Sequence, residues 1–203
     1  ANQRGYYYNL NMYGGVSYKN SFGKHNIDAR AFARYYRNEE AGSDYSTQQS
    51  ASSNRYLAYN FQGTYDYANK YIASFNLSRM GCDNFSPDDR WGTFWGASAG
   101  WVLSEESWMK KLGFIKLLKL RASYGEAGQS ITGSGRYPYQ SIYGSATGYG
   151  FGYNATGIGG YAETKTGNVN NKWEISKMVN VGLDWNLWNS KLYGSFDIFK
   201  EWR

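Results

Sequence analysis

From Leu57 to Leu77 the side chains alternate between apolar and polar, and this alternation constrains the chain more than any other feature. In RYLAYNFQGTYDYANKYIASFNLSR, Leu57, Tyr59, Phe61, Gly63, Tyr65 and Tyr67 share one face, and Ala58, Asn60, Gln62, Thr64 and Asp66 the other. Side chains on a strand point alternately to opposite sides, so this is a strand with one apolar and one wet face. The pattern breaks at Ala68-Asn69-Lys70. It resumes with Tyr71, Ala73, Phe75 and Leu77 opposite Ile72, Ser74, Asn76 and Ser78. Two such runs around a short break predict an antiparallel hairpin. Each run is about ten residues, the length a tilted strand needs to cross a bilayer. Aromatic residues crowd its turn, where a membrane–water interface would lie.

Composition matters here because it excludes the ordinary alternatives. Mean hydropathy is -0.69, yet 19% of the 203 residues are aromatic, with 21 Tyr and 8 Trp. Leu, Ile and Val, the usual material of a soluble core, are sparse, and no run approaches a membrane-spanning helix. A membrane β-barrel reconciles these facts, since only alternate strand residues meet lipid while lumen and loops stay polar. The net charge of +6 is mild and scattered, densest at Lys110-Lys111 and at Lys116, Lys119 and Arg121. It reads as solvated positions rather than a nucleic-acid surface. Cys82 is the single cysteine and His25 the single histidine, so neither an internal disulfide nor a Cys/His metal site is expected. The chain opens without a signal-peptide pattern and reads as a piece cut from something longer.

Six further stretches fit the same scheme. Residues 5–19 and 26–36 predict two strands joined at Asn20-Ser21-Phe22-Gly23, followed by a polar loop at 37–54. After the central hairpin, a fifth strand takes in Trp95 to Leu103. Residues 104–115 read as a short helix, capped by Ser104 with Glu105 and Glu106 at its N-terminus. Strands at 117–126, 173–187 and 191–199 complete eight. Residues 128–171 hold eleven Gly and six Tyr without a sustained period and are expected to be one long loop. Connections then alternate short and long, as in an outer-membrane barrel with short periplasmic turns and long extracellular loops. Tyr59, Phe61, Ala97 and Val181 are expected outside any closed core.

No catalytic signature survives inspection. Residues 157–162 fit G-x-G-x-x-A, but no βαβ unit surrounds them. Asp83, Asp88 and Asp89 lack the spacing of a calcium loop, and neither a nucleophile elbow nor a His cluster is present. The chain is expected to be no enzyme and to need neither metal nor cofactor.

Several motifs in one order resemble the barrel of SusC/RagA-type TonB-dependent transporters of Bacteroidetes. They are Y-x-x-K-Y at Tyr67, Lys70 and Tyr71, then Arg79 followed by R-W-G at Arg90-Trp91-Gly92. W-x-x-S-E-E falls at Trp101 and Ser104-Glu105-Glu106, and L-K-L-R-x-S-Y-G-x-x-G at Leu118 to Gly128. W-E-x-x-x-x-x-N-x-G-L-D falls at Trp173-Glu174, Asn180 and Gly182-Leu183-Asp184. The chain departs from the family at Met80-Gly81-Cys82-Asp83, where D-G-S-S is usual, and at Trp95-Gly96, where P-S is usual.

The resemblance implies that residues 1–203 are about eight strands from the C-terminal half of a 22-stranded transmembrane barrel, with 128–171 extracellular. It implies a multi-pass protein of the bacterial outer membrane, surrounded by lipid and importing glycan or peptide cargo. A SusD-like surface lipoprotein would lid it, and TonB would act through an N-terminal part absent from this chain. A charge facing lipid at mid-depth costs about 2–4 kcal/mol for Arg or Lys. Asp28, Arg30, Arg34, Asp66, Lys119, Arg121 and Asp184 are therefore expected to face the lumen, against plug, water or cargo. Tyr137, Tyr139, Tyr143, Tyr149, Tyr153 and Tyr161 are candidate contacts to cargo or lipoprotein. A complete eight-stranded anchor or adhesin, with its first and last strands paired, remains open, as does a soluble carbohydrate-binding β-sandwich.

Overall fold

The computed structural model describes residues 6–41, 51–130, 137–150 and 157–203. Eight strands form one antiparallel sheet in the order β1-β2-β3-β4-β5-β6-β9-β10. They are β1 (Tyr6–Phe22), β2 (His25–Ala41), β3 (Ala51–Tyr67), β4 (Tyr71–Cys82), β5 (Trp91–Val102), β6 (Ile115–Gln129), β9 (Glu174–Leu187) and β10 (Leu192–Trp202). Between β6 and β9, β7 (Ile142–Gly150) pairs with β8 (Gly157–Lys165) as a separate two-stranded sheet. No helix among the described residues is long and apolar enough to cross a membrane.

Register fixes the two faces, because residues paired across antiparallel strands share a side. One row runs Tyr65, Ala73, Ala99, Ala122, Val181 and Ile198. The next row toward the long connections runs Phe75, Ala97, Tyr124 and Val179. All of these side chains but the half-buried Tyr124 are exposed. Tyr59, Phe61, Ala97 and Val181 all stand exposed on this face, as the alternation requires. The opposite face carries Thr64 and Ser74, Gln62 and Asn76, and Asn60 and Ser78, pair by pair.

At the short-turn end, Ala68 and Asn69 take left-handed φ of 56° and 57°, the geometry a two-residue hairpin turn requires. The turns are also tied to one another. Ala68 N donates to Lys24 O (2.6 Å), Val102 N to Lys70 O (2.7 Å) and Trp188 N to Phe114 O (2.7 Å). At the other end, Phe85 is fully buried against Trp173 (ring centroids 4.8 Å apart), and Phe94 meets the same indole edge-on at 5.4 Å.

Four expectations need correction. First, the polar loop is shorter than 37–54, because β2 runs to Ala41 and β3 starts at Ala51. Glu39 lies within β2, where its carboxylate takes both Arg37 (2.6 Å) and Arg55 (2.7 Å), so pairing continues past the apolar span. Second, residues 104–115 form no helix beyond a 3-10 turn at Leu103–Glu105 followed by turns. So short a segment does not pay its own nucleation, and Glu106 is drawn away to other partners. Third, residues 128–171 contain the β7–β8 hairpin. Its register slips twice, at Ile142/Tyr143 and at Ala146/Tyr149, and those slips erase the period-two signal. Fourth, short and long connections do not alternate strictly: residues 103–114 between β5 and β6 outnumber residues 83–90 between β4 and β5.

Candidate functional site: the polar face of the sheet

The polar face is built by β-strands whose alternate positions are small or hydrophilic. Asp28, Arg30, Arg34, Asp66, Lys119, Arg121 and Asp184 all fall on it by register. They do not form one cluster. Asp28 takes Arg30 on its own strand, Nε to Oδ1 at 3.0 Å and Nη2 to Oδ2 at 3.2 Å. Arg34 donates to Asn11 Oδ1 at 3.1 Å and lies 5.4 Å from the centre of the Tyr56 ring. Asp66 accepts from Asn26 (2.9 Å) and from the backbone N–H of Asn69 (3.1 Å), so it serves the hairpin turn.

The last three strands hold the densest site. The guanidinium of Arg121 on β6 reaches Asp184 on β9 at 3.2 Å and Asp197 on β10 at 2.7 Å. Glycine at 182 makes the room. A Cβ there would lie 2.6 Å from Asp197 Oδ1 and 2.9 Å from Arg121 Nε. Lys119 is Asp184's register partner, but its side chain lies along Gly100, whose added Cβ would be 3.2 Å from Lys119 Cε. Beside these cations is a recess of about 400 Å³ lined with Ser74, Ser98, Ser123 and Asn180. Asn180 Oδ1 is buried there without a hydrogen-bond partner among the described residues. An unmet acceptor of this kind costs about 1–3 kcal/mol, and a donor from outside these residues would relieve it. Hydroxyls, two cations and a free acceptor suit polar, hydrogen-bonding matter rather than an apolar ligand.

The loop tyrosines divide. Tyr137 and Tyr139 are half-buried and edge-on to each other at 6.2 Å, and the Tyr137 hydroxyl donates to Ser53 O at 3.5 Å. Tyr143 and Tyr161 are exposed. They are diagonal neighbours on one face of the β7–β8 hairpin, since Tyr143 pairs with Glu163 and Ser145 with Tyr161. Tyr149 pairs with Ile158 in the same hairpin, and Tyr153 lies outside the described residues. Among the described residues, no group of three or more His, Cys, Asp or Glu is placed to hold a metal ion.

No family model matches the chain. Curated proteins do. The chain is 32% identical over 199 residues to TonB-dependent receptor P3 of Formosa agariphila, covering 95% of the chain and 19% of that protein. It is 30% identical over 214 residues to TonB-dependent receptor SusC of Bacteroides thetaiotaomicron, covering 95% of the chain and 21% of SusC. Its sheet superposes on the solved RagAB peptide transporter with a TM-score of 0.76 at 18% identity, over 96% of this chain and 24% of that one.

The chain belongs to the SusC/RagA-type TonB-dependent receptors.

It spans about a fifth of the length of these curated relatives. As a SusC/RagA-type chain, its sheet is a segment of barrel wall. Family motifs far apart in sequence meet in space. Glu106 of W-x-x-S-E-E accepts from Lys70 (3.1 Å) and Tyr71 (2.7 Å) of Y-x-x-K-Y, and from Trp101 Nε1 (3.2 Å). Hydrogen bonds from Tyr71, Lys70 and Trp101, in that order, hold its carboxyl below the usual carboxylate range. Trp173 of W-E donates to the carbonyl of Arg90 in R-W-G at 3.2 Å. Sequence reasoning missed Asp197 and the placement of Glu106. Alternation in LYGSFDIF sets Asp197 on the face away from Phe196 and Ile198, the signal the sequence held, and register pairs it with Gly182.

Proposed function

We propose that this chain is part of the wall of an outer-membrane transporter that imports glycan or peptide nutrients, energised through TonB and lidded by a SusD-like lipoprotein. One observation carries the reading: a single sheet with an uncovered apolar face on one side and a polar, ion-paired face on the other. Lipid suits the first face and an aqueous lumen the second. Aromatic bands support it. Tyr67, Tyr71 and Trp101 stack in sequence near the short turns, at 6.4 and 6.3 Å, and Tyr59 stacks on Trp91 at 6.2 Å toward the long connections. Tyr71 and Arg79 are separated along β4 by about 26 Å at ~3.3 Å per residue, comparable to the apolar band of such barrels.

The other two readings find less support. β1 and β10 lie at opposite edges of the sheet and are not paired, against a closed eight-stranded barrel. Among the described residues no second large sheet covers the apolar face, against a soluble sandwich. In this reading the Arg121 recess and the exposed Tyr143/Tyr161 pair are the cargo-side surfaces, and the chain has no catalytic role. SusC and the RagAB peptide transporter, similar in sequence or fold, support transport. The test is growth of a strain lacking the full-length gene on defined glycans and on peptides as sole nutrient. Loss of growth on one class, restored by the intact gene and dependent on TonB, is expected. Unchanged growth and uptake on every cargo would overturn the reading.

A further inference from the structure

In strands β1 to β5 the apolar face carries charge only toward the long connections: Arg37, Glu39, Arg55 and Arg79. Arg37 and Arg55 share the one carboxylate, Glu39. Arg79 has no carboxylate within ion-pair distance among the described residues. Its guanidinium lies 5.5 Å from the centre of the Trp91 ring, which is itself stacked on Tyr59, the register partner of Arg79. A cation on a surface meant for lipid needs an anion, and the described residues provide none at Arg79.

The surroundings say what kind. A trough of about 570 Å³ adjoins Arg79, floored by Gly14, Ala31 and Ala33 and walled by Tyr59, Phe61 and Leu77. Gly14, Ala33, Tyr59 and Arg79 lie in one row. Ala31, Phe61 and Leu77 lie in the next row toward the short turns. A molecule with its anionic head at Arg79 would therefore lay an apolar tail inward along the trough. Three arginines against one carboxylate leave this band positive, complementary to phosphate, and guanidinium forms strong charge-assisted bonds with phosphate oxygens.

We propose that Arg79, with Trp91 and the Gly14–Ala33 trough, is a binding site for a phosphorylated membrane lipid, head at the guanidinium and acyl chain in the trough. This rests on the membrane-wall reading above. The test uses the full-length receptor in detergent micelles, with native mass spectrometry as readout. The probes are dioleoyl phosphatidic acid, dioleoylglycerol with the same chains but no phosphate, and inorganic phosphate as competitor. The intact receptor is expected to retain phosphatidic acid and not dioleoylglycerol, with no displacement by equimolar phosphate. Arg79→Gln should retain roughly tenfold less, Arg79→Lys should keep most of the binding, and Ala33→Trp, which fills the trough, should also lower it. Equal retention by Arg79→Gln, or equal retention of the two lipids, overturns the proposal. Displacement by phosphate alone overturns it too, as that marks a free-anion site. If Arg79→Gln does not fold, the comparison of lipids on the unaltered receptor still decides. A receptor that fails to insert into vesicles at all sinks the membrane-wall reading instead, while one that inserts without discriminating lipids sinks only this site.

Discussion

The carboxylate of Glu106 accepts the hydroxyl of Tyr71 at 2.7 Å, tying the β5–β6 connection to the start of β4. Lys70 and Trp101 close on the same two oxygens. One acidic side chain thus holds three residues contributed by two hairpins.

Replacing Glu106 with Gln should lower the melting temperature of the full-length receptor by about 2–4 °C, read from heat-dependent gel migration. The effect depends on pH with a defined sign. The carboxyl is held below its ordinary value of 4.5, so its contribution is present above that value and lost as pH falls through the lower folded one. The gap between wild type and Glu106→Gln should therefore close in acid. A gap that widens below pH 4.5 would contradict the assignment.

Gly128 is expected to tolerate no side chain. A Cβ there would lie 1.8 Å from the Phe94 ring. Gly128→Ala should destabilise the receptor by about 1–3 kcal/mol through overpacking, measured by urea unfolding in micelles. Adding Phe94→Ala should remove most of the clash, so the two changes together should cost less than their sum.

The two faces of β5 should respond oppositely to charge. Ala99→Arg puts a guanidinium in the middle of the apolar face and should cost about 2–4 kcal/mol at the bilayer midplane. Ser98→Arg, one residue away, enters the polar recess and should insert normally. Equal insertion yields in vesicles would refute the face assignment.

Arg121→Ala leaves Asp184 and Asp197 facing each other without their shared cation. If the recess contacts cargo, uptake should fall about tenfold, on the order of one charge-assisted bond, while the amount of inserted receptor stays constant. Arg34→Ala tests the same idea near Asn11 and Tyr56. Normal uptake by both variants would reduce these arginines to wall chemistry.

Tyr143 and Tyr161 stand open on one face of the β7–β8 hairpin. Changing both to Ala should weaken cargo or lipoprotein binding, each ring contributing about 0.5–1.5 kcal/mol, with the melting temperature unchanged. Crosslinking from either position to the lipoprotein would separate the two partners.

Much of this architecture was legible in the sequence because a strand with lipid on one side must alternate, and Leu57 to Leu77 does so on both sides of the turn at Ala68-Asn69-Lys70. The same rule placed Asp28, Arg30, Arg34, Asp66, Lys119, Arg121 and Asp184 on one face. It gave no account of what each would touch. Asp66 serves a turn and Arg121 bridges two strands, and both facts depend on register between segments far apart in the chain. The β7–β8 hairpin escaped notice because its register slips and its glycines carry no side chain to show a period. Glu106 read as a helix-start residue by local rules. Lys70, Tyr71 and Trp101 outbid the helix, and their proximity exists only once the hairpins are side by side.

The backbone bonds from Ala68 to Lys24, Val102 to Lys70 and Trp188 to Phe114 stitch neighbouring turns into a hem. A hemmed edge cannot let one pair of strands slide while its neighbours stay fixed. Any change of spacing among these eight strands must therefore be taken up at the opposite rim, around the long connections, while the hemmed rim keeps its length.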